Sequence, residues 1–171
     1  MTITVGVSIA IPEPHGEALR DKRRSFGDEM ADRIPSHITL APPLVVDDDG
    51  IDSLTEDLRE LTEVFSSFRV SLLGTGTFRP ISPVVFVAVS EGIAQIETLA
   101  EGVRKAIGAP DPEFPFHPHV TIAHNVPDEA LDAALHDLID FRCSFEVDAI
   151  HLYVDDPEQG WLPTSTFPLG S

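Results

Sequence analysis

Phe114–His124 reads Phe-Pro-Phe-His-Pro-His-Val-Thr-Ile-Ala-His, and within it lies the tetrad His119-Val120-Thr121-Ile122. The same pattern, His-apolar-Thr-apolar, stands in the first half of the chain as His37-Ile38-Thr39-Leu40. Successive side chains of a β-strand point to opposite faces. As strands, these stretches place His37 with Thr39, and His119 with Thr121, on one face. Ile38, Leu40, Val120 and Ile122 then take the other. Each tetrad would thus offer an apolar face to a core and an imidazole with a hydroxyl to the outside. Two copies suggest that one half of the chain repeats the other and that one site draws a histidine from each half.

The surrounding pattern supports a duplication. Thr2–Ile11 and the apolar run Val84–Val89 read as strands, the second buried on both faces. Each is followed by a helical stretch, Glu13–Arg33 and Glu91–Ile107. Each tetrad strand comes next, Ser36–Leu40 and His117–His124. Helices are predicted again over Ile51–Phe65, where Ile51, Leu54, Leu58, Leu61 and Phe65 recur at steps of three and four, and over Pro127–Ile139. The third strands open alike, Phe68-Arg69-Val70-Ser71 and Phe141-Arg142-Cys143-Ser144. Phe141–Tyr153 reads as one strand, and Trp161–Phe167 as the last. Ala41-Pro42-Pro43 either stops pairing after the first tetrad or confines it to a sheet edge. This order fits one α+β domain over 1–171, a duplicated two-lobed fold with strands inside and helices outside.

Composition narrows the function. The chain has 171 residues, of which 42% are hydrophobic, enough for a core. Its 29 acidic and 11 basic residues give a net charge of −18. A protein that grips a long duplex by counterion release needs a basic surface. Lys22-Arg23-Arg24 is the one basic run, and on a helix its members fan apart. A small substrate or a nucleic-acid end is expected instead, with no membrane partner and a monomeric state. The N-terminus has no basic region of a signal peptide, no stretch reaches the ~20 apolar residues of a membrane span, and Cys143 is the only cysteine. A reducing cytoplasm is the expected location.

Opening a phosphodiester needs a base for the attacking oxygen and an acid for the departing one. Histidine, with an ordinary pKa of ~6.5, supplies both forms near neutral pH. Threonine hydroxyls can donate to phosphate oxygens as charge builds there. This scheme needs no metal or cofactor. His117 shares the strand parity of His119, whereas His124 has the opposite one. A His117/His119 metal site lacks a third ligand at suggestive spacing. His15, His136 and His151 read as surface residues. Trp161, Tyr153 and Phe114 could stack a base, but core packing is the simpler expectation.

The paired tetrads resemble the hallmark of the two-histidine phosphoesterase superfamily, the 2′-5′ RNA ligase-like proteins. Phe116-His117-Pro118-His119-Val120-Thr121-Ile122 is similar to the usual second motif, His37–Leu40 to the first, and Gly74–Val89 to the link into the second lobe. The resemblance spans nearly the whole chain. It implies two antiparallel sheets forming a V-shaped groove, with both His-x-Thr pairs on its floor. It further implies metal-independent hydrolysis of a 2′,3′-cyclic phosphate or a 2′-5′ linkage on a nucleotide or RNA end, with His37, Thr39, His119 and Thr121 catalytic. A basic residue often follows the second tetrad in that family. Ala123-His124 stands there in this chain, so His124, with His117, is the expected substrate contact. The acidic surface favours hydrolysis of a small ester over RNA ligation. A non-catalytic nucleotide- or phosphate-binding protein on the same fold is the alternative.

Overall fold

The structure, a computed structural model that describes residues 1–170, places the two tetrads on edge strands of different sheets. The elements run β1 (Thr2–Ala10), α1 (His15–Ser25), β2 (His37–Asp47), α2 (Ile51–Glu63), β3 (Phe68–Thr77), β4 (Val84–Glu91), α3 (Ile93–Ile107), β5 (His119–His124), α4 (Asp128–Asp137), β6 (Arg142–Val147), β7 (Ala149–Asp156) and β8 (Gly160–Pro168). One antiparallel sheet has the order β2-β1-β7-β8 and the other β5-β4-β3-β6. The fold is α+β, as the sequence predicts.

The alternation expected of the tetrads is present. His37 through Leu40 run half-buried, buried, half-buried, buried, and His119 through Ile122 repeat that order. Ile38, Leu40, Val120 and Ile122 are at most 1% exposed. Each such side chain contributes roughly 1.5–3 kcal/mol by leaving water, and this anchors the polar face opposite. β2 continues to Asp47 past Pro42 and Pro43. The ladder to β1 slips between the Val7–Ala41 and Val5–Leu44 pairs, which leaves both prolines out of register on the edge.

The helices exchange partners. α1 follows the first sheet's β1 but packs on β5 of the second sheet. α3 follows β4 of the second sheet but packs on β2 of the first. Ile96, Leu99, Ala100 and Val103 form the buried face of α3, and Leu54 and Leu58 that of α2 beside it. α4 covers β3, β4 and β5. Among the described residues no helix is long and apolar enough to cross a membrane.

Three expectations are corrected. The helix predicted over Glu13–Arg33 stops at Ser25. Gly27 takes a left-handed φ of 85°, and Asp28 starts a separate 3-10 turn over Glu29–Asp32 by accepting from the Met30 amide at 3.0 Å. The strand predicted over Phe141–Tyr153 is two strands, and the chain changes sheets at Asp148. The Phe-Arg-x-Ser copies do not occupy equivalent places in the two sheets. They lie side by side in one sheet, with Ser71 opposite Ser144 and their hydroxyls 2.7 Å apart.

Candidate active site

β2 and β5, the two tetrad strands, approach each other across the junction of the sheets. Each catalytic candidate is held by the same local device. The Nδ1 of His37 lies 2.8 Å from the carbonyl of Pro35, and that of His119 lies 2.7 Å from the carbonyl of His117. A carbonyl oxygen can only accept, so Nδ1 carries the proton in both rings. Nε2 is left as the free lone pair. Two copies of a ring tied to the carbonyl two residues back give two imidazoles in one tautomer.

Their environments favour the neutral form. Burial lowers His37 to about 4; the bond to Pro35 opposes this, and the charges of Arg23 and His119 lower it further. His119 is lowered as well, first by burial and then by His117, against the bond to the His117 carbonyl. Removing an imidazolium from water disfavours the charged form. At neutral pH His37 is therefore held in its neutral form, with Nε2 unprotonated.

Two cavities flank this pair, and Thr39 borders both. The smaller, about 340 Å³, lies over the first sheet and is lined by His37, Ser8, Tyr153 and Trp161. A Cβ on Gly6 would come within 3.3 Å of the Trp161 ring, so the indole lies directly over the backbone there. The larger is an open groove of about 1360 Å³ bordered by His119, His117, Phe78, Phe114, Phe116 and Arg104. Phe78 meets both histidines edge-on, with centroids 5.5 Å from His117 and 4.9 Å from His119. The electropositive ring edge against a π-face orients the imidazoles without competing for their nitrogens.

Thr121 shares the face of His119 by alternation but borders neither cavity. His117 is exposed and reaches the groove. His124 borders neither cavity; its backbone amide donates to Asp28 Oδ2 at 2.9 Å. Asp28 also holds Arg23, with Nε 2.7 Å away, and the two side chains are 2% and 9% exposed. This buried pair binds the α1 region to the end of β5. Trp161 and Tyr153, expected in the core, wall the His37 cavity, although Tyr153 is only 6% exposed. Phe114 is 60% exposed rather than packed. His151, expected on the surface, is half-buried and hydrogen-bonded to Thr166 at 3.1 Å. It lies opposite Ser8, which lies opposite Thr39. Among the described residues no three His, Cys, Asp or Glu side chains cluster as a metal cage.

The family model of the 2′-5′ RNA ligase superfamily matches residues 11–159, a span that holds both tetrads and the helices exchanged between the sheets. The chain belongs to the 2′-5′ RNA ligase superfamily. Its relatives include bacterial proteins. A candidate phosphoesterase of Bacillus licheniformis is 29% identical over 140 residues, 81% of this chain and 82% of that one. Another, of Geobacillus kaustophilus, is 26% identical over 167 residues, covering 96% and 95%. Among solved structures, Escherichia coli LigT complexed with NADP+ superposes with a TM-score of 0.70 at 19% identity over the whole of both chains. A crystal structure of a phosphoesterase superposes with a TM-score of 0.72 at 20% identity, again over both chains. These superpositions establish the shared fold of the superfamily: two antiparallel sheets and outer helices.

Proposed function

We propose that this superfamily member is a metal-independent phosphodiesterase. It opens a 2′,3′-cyclic phosphate, or cleaves a 2′-5′ linkage, on a nucleotide or RNA end. The observation that carries the reading is the matched pair of imidazoles, each with Nδ1 committed to a carbonyl and Nε2 free. His37, the ring lowered to about 4, acts as general base. Its Nε2 takes a proton from water as the water oxygen bonds to phosphorus. His119 acts as general acid. The approaching phosphate anion raises its proton affinity, and it delivers the Nε2 proton to the ribose oxygen as the P–O bond breaks. Thr39 and Thr121 donate to the non-bridging oxygens, where charge accumulates. The protons balance between two side chains, and the site returns to its starting state by exchange with water.

The related proteins support this chemistry. The bacterial relatives bear phosphoesterase names, and LigT has been crystallised with 3′-AMP and with ATP. The experiment is hydrolysis of 2′,3′-cyclic nucleotides by purified protein in the presence of a chelator. Activity that disappears in both His37→Ala and His119→Ala supports the paired roles. Retained activity in either variant overturns them. A nucleotide that raises the melting temperature but is never turned over would replace this reading with a binding protein.

A further inference from the structure

Each tetrad is preceded by a helix with an arginine in its last turn, Arg23 on α1 and Arg104 on α3. Both helices pack on the opposite sheet's tetrad strand. The two arginines differ in what they meet. Arg23 is neutralised by Asp28. Arg104 forms no ion pair among the described residues; its Nε is buried and has no hydrogen-bond partner. Its guanidinium carbon lies 5.6 Å from the centre of the Phe116 ring, a stacking that holds the fork in place without satisfying its donors. A buried donor without an acceptor is a costly arrangement that a protein usually resolves with a partner. Arg104 borders the groove that also holds His119.

Resting on the phosphodiesterase reading, we propose that Arg104 binds a second phosphate of the substrate, at a distance from the one that reacts. The guanidinium fork matches phosphate oxygens in a bidentate geometry that lysine cannot reproduce. The groove is lined by Thr39 and His119 as well as by Arg104, so a ligand seated in it can extend past the scissile phosphate. Its wall between His119 and Arg104 includes Phe78, Phe116 and the largely exposed Phe114. Aromatic faces of this kind accept a planar base without regard to its identity. Glu113 is the one carboxylate on the groove wall; it is exposed and forms no ion pair with Arg104. In a chain of net charge −18, an unpaired cation at the groove wall is what distinguishes a doubly phosphorylated nucleotide from a singly phosphorylated one. The substrate class is a nucleotide with the cyclic phosphate at one end of the ribose and a terminal phosphate at the other.

The test compares KM for adenosine 2′,3′-cyclic phosphate with KM for the same compound carrying a 5′-phosphate. A charge-assisted phosphate contact corresponds to a preference of roughly tenfold to a hundredfold for the second compound. That ratio is expected to collapse toward one in Arg104→Gln and to be partly restored in Arg104→Lys. An equal KM for both compounds in the unaltered protein overturns the proposal, as does a preference that survives in Arg104→Gln. If neither compound is turned over, calorimetric titration with adenosine 3′-monophosphate and adenosine 3′,5′-bisphosphate separates the two ideas. Tighter binding of the bisphosphate that is lost in Arg104→Gln supports the subsite and discards only the phosphodiesterase reading. Equal binding discards the subsite.

Discussion

Replacing His37 by glutamine is expected to make the protein less sensitive to mild acid. The folded imidazole is lowered to about 4 because it is buried, whereas in the unfolded chain it titrates at ~6.5. Its folded pKa is the depressed one, so its contribution to stability is fully present above the unfolded value. It is lost as pH falls from ~6.5 toward about 4, because only the unfolded chain takes up the proton in that window. From near neutrality to about pH 4.5 this single group removes roughly 2 kcal/mol of folding stability. With a urea dependence of roughly 1–3 kcal/mol per molar, the midpoint shift attributable to His37 is on the order of 1 M. The assay is urea unfolding of the unaltered protein and His37→Gln at several pH values across that window. Carboxylates titrate in the same range, so the quantity of interest is the difference between the two slopes. The glutamine variant should lose less stability on acidification whatever its stability at neutral pH. Parallel curves would refute the burial argument and, with it, the assignment of His37 as the neutral base.

Three further outcomes follow from the geometry. Asp28→Ala leaves Arg23 buried without its counter-ion and is expected to cost about 3–5 kcal/mol, read as a large fall in melting temperature; an unchanged melting temperature would contradict the burial of the pair. Thr39→Val and Thr121→Val should each lower kcat by roughly a hundredfold to a thousandfold if their hydroxyls stabilise transition-state charge, with KM moving much less, and stopped assays on a cyclic nucleotide resolve the two parameters. Trp161 is the only tryptophan and walls the His37 cavity, so its fluorescence should change when a nucleotide binds; in Gly6→Ala, where the new Cβ stands 3.3 Å from the ring, the unliganded emission itself should shift, and identical spectra would mean that the indole does not lie over Gly6.

The tetrads were legible because alternation is a local property. Ile38 and Val120 are buried, and His37 and His119 face away from the core, as a period of two requires. The pairing of two antiparallel sheets was also legible, through the order of landmarks and the resemblance they carry. What escaped was whatever depends on residues distant in sequence. Phe68–Ser71 and Phe141–Ser144 looked like symmetry mates, yet strand pairing placed them together. Trp161 looked like a core residue because large apolar side chains usually are, yet it is half-buried over Gly6 at a cavity, which the buried Tyr153 also lines. Arg104 carried no local signal at all. Its mate Arg23 sat in a conspicuous basic run, but each member of that run found its own carboxylate: Asp137, Asp28, and Asp21 with Asp32. An arginine that has none is recognisable only once the surrounding groove is built.

The first sheet closes through the pairing of Val5–Ser8 with His151–Val154, and this has a consequence for how the protein comes into being during synthesis. β1, α1 and β2 leave the ribosome well before the partner of β1's second edge and the Tyr153 and Trp161 that wall the His37 cavity. The β5-β4-β3 portion of the other sheet can assemble while the first still displays an open strand of Val5, Val7 and Ile9. An unpaired apolar edge of that kind is a template for association with other chains. The nascent protein is therefore most exposed to aggregation in the interval before β7 emerges, and a chain truncated ahead of that strand should be recovered as aggregate rather than as a half-sized working unit.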